Sequence, residues 1–498
     1  MSNLRFYPTT LMMRHFLTFL LCLGTCFSFT QTLSQKINAV ENGLLEAREL
    51  IFSDSLVPKF NIQERMAYYQ IPAVSIAVIN NGNIEWAKAY GFADPAGKRA
   101  ADTETLFQVA SISKSVNAFG VMRLVQSGKL SLEADIRPYL KTWAFPDNIY
   151  SQGKTITLKH LLSHTAGLGA RGFMGYARTA PLPTINQILD GEAPANSDPV
   201  IPIQEPNIQF SYSGGGTTLI RKILDDQIST NYDSLFNALV FKPLRMKNST
   251  FAQPLSPRWK NYAAACNNQG QPFEGGYFVY PELAPDGLWS TATDLAKFVL
   301  AIQASVQGKE GALLSETVAR EMLTPVLPNS NNALGVFVQQ KGGEQYFTHS
   351  GVNQGFQADY YGSFTNGRGV VVLTNSDNGS KLIQEIVNSV AVVNGWEGFY
   401  APIEKKLIQV SEAQLETYAG NFVTEDGALT IQIAKQGQAL QLTARRSERM
   451  YPIGPDTFFI ASSPNDQIAF VSSRHDGKID TMEVRSQGAV MFRAVKKQ

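Results

Sequence analysis

Ser111-Ile112-Ser113-Lys114 is the first stretch of this chain in which nucleophilic chemistry could be assembled. A serine hydroxyl is a weak nucleophile at its ordinary pKa and needs a base or an electrostatic aid beside it. Residues three apart on a helix share a face, so a helix starting here would set Lys114 one turn from Ser111. The start of such a helix also offers unpaired N–H groups and the positive end of a dipole, which suit a developing oxyanion. The same Ser-x-x-Lys spacing recurs at Ser151 and Lys154, in a polar stretch that reads as a loop. Spacing alone therefore decides nothing. Context favours Ser111, which follows a strand-like run at 106–110 and opens an apolar-periodic one.

Two further stretches carry candidate chemistry. Phe210-Ser211-Tyr212-Ser213-Gly214-Gly215-Gly216 sets a phenol before three glycines, where backbone can approach a ligand closely. The plainer reading is a tight turn with a packed aromatic. Thr348-His349-Ser350-Gly351 ends a predicted strand and runs into Val352; a single histidine there is as readily structural. His160 and His164 lie four apart, but no glutamate stands between them and no third ligand is evident. They read as structural, and neither a metal nor a cofactor is expected.

The elements that must position these groups follow from periodicity. Ile112, Val116, Phe119, Met122 and Val125 recur at spacings of three and four and predict a helix over 111–127 with one apolar stripe, closed by Gly128. Residues 71–90 form two β-rich runs around Asn80-Asn81-Gly82-Asn83, a strong hairpin signal. Helices are expected at 158–163, 291–303 and 381–393, and strands at 334–339, 345–349, 355–364 and 369–374. A hairpin early and strands late predict an antiparallel sheet whose two ends of chain meet, flanked by helices, with a helical subdomain from the middle: an α+β fold. Residues 181–207, rich in Pro, Asn and Asp, read as a long irregular excursion. The main domain is placed at 36–397 and a polar linker at 398–410. Residues 411–498 read as a small all-β domain, with strands at 428–434, 440–443, 457–461, 468–472 and 478–485.

Composition excludes several classes. The chain has 498 residues with 43 Lys+Arg against 42 Asp+Glu, so no overall field steers it to nucleic acid. An apolar fraction of 44% supplies a core, and three cysteines are too few for a disulfide scaffold. The one long apolar run, near the N-terminus, has the layout of a signal peptide over residues 1–30 and is short for a membrane span. Export to the periplasm or medium is the expectation. Leu23-Gly24-Thr25-Cys26 loosely matches a lipoprotein box, which would put a lipid anchor on Cys26. Cleavage would leave Cys266 as the one cysteine of the mature chain, so no internal disulfide is expected.

With those stretches in view, the chain resembles the serine β-lactamase-related family: class C β-lactamases, D-Ala-D-Ala carboxypeptidases, D-aminopeptidases and family esterases. The matching stretches run in family order: IPAVSIAVINNG with AKAYGFAD, LFQVASISKS, SGKLSLEADIRPYL, ITLKHLLSHTAGL, FSYSGGG, DGLWSTATDLAKF and HSGVNQGF. The tail resembles a lipocalin-like barrel. The resemblance implies a β-lactamase/transpeptidase-like fold and makes Ser111 the acylated nucleophile, with Lys114 as its basic or electrostatic partner. It gives Tyr212 the part of the second-motif tyrosine and puts the oxyanion hole at the N–H groups of Ser111 and Val352. His349-Ser350-Gly351 stands where many members have Lys-Thr-Gly, and Gly214 where the second motif often has asparagine. Neutral imidazole is a poor partner for a substrate carboxylate. The pattern thus implies an ester or amide hydrolase, of small-molecule or peptide acyl substrates, rather than an efficient β-lactamase. A non-turnover penicillin-binding or cell-wall-sensing protein and a class C-like β-lactamase are the alternatives. The Lys114 amine is either neutral through desolvation or charged, with Tyr212 as tyrosinate.

Overall fold

The computed structural model of the protein describes residues 32–46, 50–52, 57–473 and 477–497. The expected signal segment and Cys26 lie outside the described residues.

Helix α1 (Leu33–Glu41) is capped by Thr32, leads to strand β1 (Leu50–Phe52) and is followed by α2 (Ile62–Tyr69). The hairpin of β2 (Ala73–Asn80) and β3 (Asn83–Asp94) comes next, then short β4 (Arg99–Ala100). Asn81 and Gly82 both take positive φ, 50° and 71°, the turn whose twist matches that of the flanking strands. β5 (Phe107–Gln108) feeds α3 (Ile112–Gln126). The middle of the chain is helical: α4 (Leu158–Leu162), α5 (Ile185–Asp190), α6 (Gly214–Gln227), α7 (Tyr232–Phe236) and α8 (Leu283–Asp286). β6 (Trp289–Ser290), α9 (Ala292–Val306) and α10 (Glu316–Met322) lead to β7 (Phe337–Lys341), β8 (Glu344–Asn353), β9 (Phe356–Ser363), β10 (Gly369–Thr374) and α11 (Gly379–Val393).

The main sheet runs β4-β3-β2-β10-β9-β8-β7, antiparallel throughout. Its two ends of chain meet at β2 and β10, with Ile79 opposite Gly369. Successive strand residues face opposite sides, and β10 loads both. Val370 and Val372 join the layer of Leu382 and Ile386 from α11, while Val371 and Leu373 join the core of α3 and α9. The result is helix on sheet on helix, the α+β arrangement expected.

Three differences from the sequence expectation have physical causes. The stripe in α3 predicts one buried face, yet twelve of its fifteen residues are buried. Its buried polar side chains find partners inside: Ser115 donates to the Gly335 carbonyl at 2.7 Å and Asn117 Oδ1 accepts from the Tyr232 hydroxyl at 2.8 Å, while the Asn117 amide nitrogen is left without a partner. The triple glycine is not a turn but the first turn of α6, capped by Ser213, whose hydroxyl takes the Gly216 N–H at 2.8 Å. A Cβ on Gly215 would meet Val200 Cγ2 at 2.6 Å, so close packing accounts for glycine there. The strand expected at 345–349 runs on to Asn353, and the one expected at 334–339 starts only at Phe337, because Gly335 turns the chain at φ 71°.

In the stretch expected as linker, β11 (Ile403–Lys405) pairs in parallel with β1. Beyond it, α12 (Glu412–Tyr418) precedes β12 (Gly420–Thr424), β13 (Thr430–Gln436), β14 (Ala439–Thr443), β15 (Ser447–Gly454), β16 (Thr457–Ile460), β17 (Ser463–Val471), β18 (Thr481–Ser486) and β19 (Ala489–Lys496). These eight strands close into an antiparallel barrel, β19 pairing with β12. Its core is filled by side chains that include Tyr418, Phe422, Met450, Phe458, Phe470 and Met482. Among the described residues no helix is long and apolar enough to cross a membrane.

Candidate active site

Ser111 stands at the N-cap position of α3, at the corner where β5 turns into the helix, and its hydroxyl makes no cap bond. The residue before it, Ala110, holds φ at 49°, a left-handed conformation that costs a non-glycine residue roughly 1–2 kcal/mol. Such strain persists only where the surroundings over-determine it. Here they do. β5 pairs with β6, Val109 N–H donates to the Leu288 carbonyl at 3.1 Å, and Leu288 N–H donates to Ser113 Oγ at 3.0 Å. The same ladder lays the α8 turn across the tip of α3.

Lys114 follows one turn on and is buried. Its Nζ donates to Ser111 Oγ at 2.9 Å, to the Pro285 carbonyl at 3.0 Å and to Asp286 Oδ1 at 3.3 Å. The Ser111 hydroxyl in turn donates to Asp286 Oδ1 at 3.0 Å. Burial pulls the Lys114 pKa down, but the Asp286 carboxylate and Tyr212 outweigh it, and the net shift is upward. Of the two protonation states open from sequence, the surroundings thus favour the ammonium.

Tyr212 arrives from the stretch before α6, and Lys114 Nζ lies 5.1 Å from its ring centroid. Its other neighbours are His164, at 4.4 Å between ring centroids, and His349, at 6.4 Å. Phe337 packs on His349 at 5.3 Å, and Phe210 lies 6.0 Å from both His164 and Phe337. Ser111 and Lys114, one helical turn apart, therefore meet Tyr212 from a distant stretch at one helix tip beside an aromatic wall.

The third motif lies on β8. Pairing with β7 stops at Thr348 opposite Phe337, so the next residues present an unpaired edge beside the Val109–Ala110 corner. Gly351 is packed there so closely that a Cβ would come 2.2 Å from the Val109 carbonyl oxygen. Ser350 and Val352 have exposed side chains. His349 is buried, and burial together with the Lys114 charge brings its imidazole down to about 3. Its Nδ1 lies 2.7 Å from the Ser350 carbonyl oxygen, a contact that requires the proton on Nδ1 and leaves Nε2 as a bare acceptor. Gly214 is buried, its N–H on the Arg171 carbonyl, and a Cβ there would meet Phe173 at 2.8 Å.

Two site residues escape the sequence reading. Asp286 opens the DGLWST stretch, where an aspartate before glycine reads as turn chemistry. His164 stands out in the sequence only as half of a pair with His160; in the structure its Nδ1 accepts the Ser213 N–H at 3.2 Å, and His160 caps α4 with Thr157. Among the described residues no cluster of three metal-ligating side chains occurs. The second Ser-x-x-Lys is structural: Ser151 Oγ donates to Asp147 at 2.8 Å, and Lys154 pairs with Glu205. Cys266 is a buried free thiol whose pKa burial pushes up to about 12.

Comparison with known proteins bears on the family and the fold. The family described as Beta-lactamase matches residues 60–388, well over half of the chain. This chain belongs to that family. Members of the Beta-lactamase family are typically serine hydrolases. Protein flp of Staphylococcus aureus (strain MW2) is 26% identical over 325 residues, which span 64% of this chain and 62% of that protein. The chain thus covers less than two thirds of that relative's length. Penicillin-binding protein 4* of Bacillus subtilis (strain 168) is 22% identical over 415 residues, 78% of this chain and 87% of that one. Among solved structures, the octameric penicillin-binding protein homologue from Pyrococcus abyssi superposes with a TM-score of 0.57 at 20% identity, over 87% of this chain and 98% of its own. D-amino acid amidase from Ochrobactrum anthropi SV3 gives 0.55 at 21% identity, over 73% and 98%. At these identities the structural likeness concerns the fold.

Proposed function

We propose that the protein is an exported serine hydrolase that forms an acyl-Ser111 intermediate from an ester or amide that carries no carboxylate. The observation that carries this reading is the Lys114 Nζ to Ser111 Oγ hydrogen bond of 2.9 Å at the tip of α3, with Tyr212 beside the amine.

Ser111 Oγ attacks the carbonyl carbon, and the resulting oxyanion rests on the N–H groups of Ser111 and Val352. The first N–H groups of a helix have no partner within it, which supports the first donor; the open edge of β8 beside Ala110 supports the second. Tyr212 helps protonate the leaving group, and water then cleaves the acyl-enzyme. The substrate class is argued from charge. Neutral His349 offers a substrate carboxylate no cation, and the Lys114 ammonium is already engaged by Asp286. Esters and D-amino acid amides, the latter the substrates named for one structural neighbour, fit such a site better than penicillins or D-Ala-D-Ala peptides.

A panel of p-nitrophenyl esters, D-amino acid amides, a D-Ala-D-Ala peptide and nitrocefin, with Ser111→Ala as control, tests this. Burst-then-steady release from the neutral esters or amides is expected. Fluorophosphonate labelling that persists in Ser111→Ala defeats the assignment, and a stable acyl adduct without turnover assigns a binding protein instead.

A further inference from the structure

Asp286 enters the site from α8 with one carboxylate oxygen, Oδ1, on both groups that matter, 3.0 Å from Ser111 Oγ and 3.3 Å from Lys114 Nζ. It is buried, and its backbone is held from both sides: its carbonyl accepts from Asn353 of β8 at 3.2 Å and its N–H donates to the Glu282 carbonyl at 3.1 Å. A buried carboxylate in bonding range of a nucleophile needs a reason.

The proton inventory supplies one. An ammonium has three protons and no lone pair. Those of Lys114 have Ser111 Oγ, the Pro285 carbonyl and Asp286 Oδ1 around them, and the Tyr212 hydroxyl bonds to the same amine. While Lys114 stays charged it donates to Ser111 and takes nothing from it. The one proton of the Ser111 hydroxyl is directed at Asp286 Oδ1. The charged and titratable groups facing Asp286 are Lys114 from α3 and Glu282 and Tyr280 on its own stretch. Burial pushes the Glu282 carboxyl up to about 8, so at neutral pH it adds little negative charge next to Asp286. Lys114 is then the charge that stabilises the developing alkoxide.

We infer that Asp286 is the group that accepts the Ser111 proton during acylation, with Lys114 as a fixed cation; this rests on the acyl-Ser111 reading above. As the Ser111 Oγ–carbon bond forms, the hydroxyl proton passes to Asp286 Oδ1 and the carbonyl π pair moves onto oxygen. On collapse that pair returns, the bond to the leaving group breaks, and the leaving oxygen or nitrogen takes up a proton through Tyr212 or directly from Asp286. In deacylation water supplies the proton that resets the Ser111 hydroxyl. No oxidant, metal or co-reactant is required.

The experiment measures acylation of the full chain by a fluorophosphonate and by a p-nitrophenyl ester in Asp286→Asn, Asp286→Ala and Asp286→Glu, with Ser111→Ala as reference. Asp286→Asn keeps the shape and loses the acceptor; acylation slowed by ~10²–10⁴ is expected, the usual reach of a general base. Formate should restore at least tenfold to Asp286→Ala, and Asp286→Glu should keep part of the rate. Should Asp286→Ala not fold, the pH profile of Asp286→Asn decides: its rate should climb steadily with hydroxide, whereas the native profile unchanged overturns the inference. Asp286→Asn within about threefold of native also overturns it. So does a slow Asp286→Ala that formate leaves unimproved, combined with an Asp286→Glu no faster than Asp286→Asn. Failure of the native protein to label at Ser111 is a different result and sinks the hydrolase reading itself.

Discussion

The imidazole of His164 lies flat enough against the phenol ring of Tyr212 to bring their centroids within 4.4 Å, at an interplanar angle of 38°. The same imidazole accepts the N–H of Ser213, so one side chain sets both the ring and the backbone of the second motif. Burial, then the charge of Lys114, holds His164 well below its ordinary pKa, as a neutral acceptor. His164→Phe keeps the packing and removes the acceptor. The expected result is kcat lower by ~10²-fold, the cost of misplacing a reacting group by about an ångström, with KM changed far less. Steady-state kinetics on the best ester of the panel check it; an unchanged kcat would free His164 of any positioning part.

The neutrality of His349 makes stability depend on pH. Its folded pKa, about 3, lies below the unfolded value of about 6.5. Between these values the unfolded chain binds the extra proton, so stability is full above about 6.5 and falls as pH drops towards 3. From pH 7 to pH 5 this one group should remove about 2 kcal/mol. Urea unfolding of the native chain and of His349→Gln at both pH values isolates it: the variant should lose about 2 kcal/mol less across the interval. Equal losses would place a charged His349 in the folded state.

Gly351 packs β8 closely against the Val109–Ala110 corner. A methyl there would lie 2.2 Å from the Val109 carbonyl oxygen, and one of the two backbones must move. Gly351→Ala is expected to destabilise by ~1–3 kcal/mol, as overpacking does. It should also slow acylation more than it weakens binding, because the edge carrying Val352 shifts from Ser111. Calorimetry and single-turnover labelling read the two effects separately.

Far from the site, Arg65 of α2 and Glu385 of α11 form a buried pair, with side chains 8% and 2% exposed. Tyr69 adds a hydrogen bond to Glu385 at 2.7 Å. Removing one partner of a buried pair strands the other charge. Arg65→Met should cost ~3–5 kcal/mol, whereas the double change Arg65→Met with Glu385→Leu should recover most of it. Chemical denaturation of the three proteins gives the comparison.

Periodicity and turn chemistry make the sheet legible. The Asn81-Gly82 turn, the apolar run of β10 and the spacing of Ile112, Val116 and Phe119 each point to the element found. What stays hidden depends on contacts between distant segments. Nothing local distinguishes Asp286 from a turn aspartate; only the β5–β6 pairing lays it over Ser111. The burial of α3 on every side comes from α8, α10 and β8 packing around it, which its own stripe cannot announce. In the barrel, β19 carries the exposed Val490, Met491, Phe492 and Val495, so apolar residues stand on both of its faces and no apolar–polar alternation marks it as a strand. Of the site groups, Ser111, Lys114, Tyr212 and His349 are marked by motif, while His164 and Asp286 are not, since their parts arise from the neighbours that folding brings.

The pairing of Ile79 with Gly369 also sets a clock on synthesis. At roughly 5–20 residues per second, the first hairpin waits about 15 s to a minute for its central neighbour to leave the ribosome. Until then its inner edge is open, and α3 has no complete sheet to lie against. The main sheet is therefore incomplete for most of synthesis, and any factor that must handle the chain before it folds has that interval in which to act.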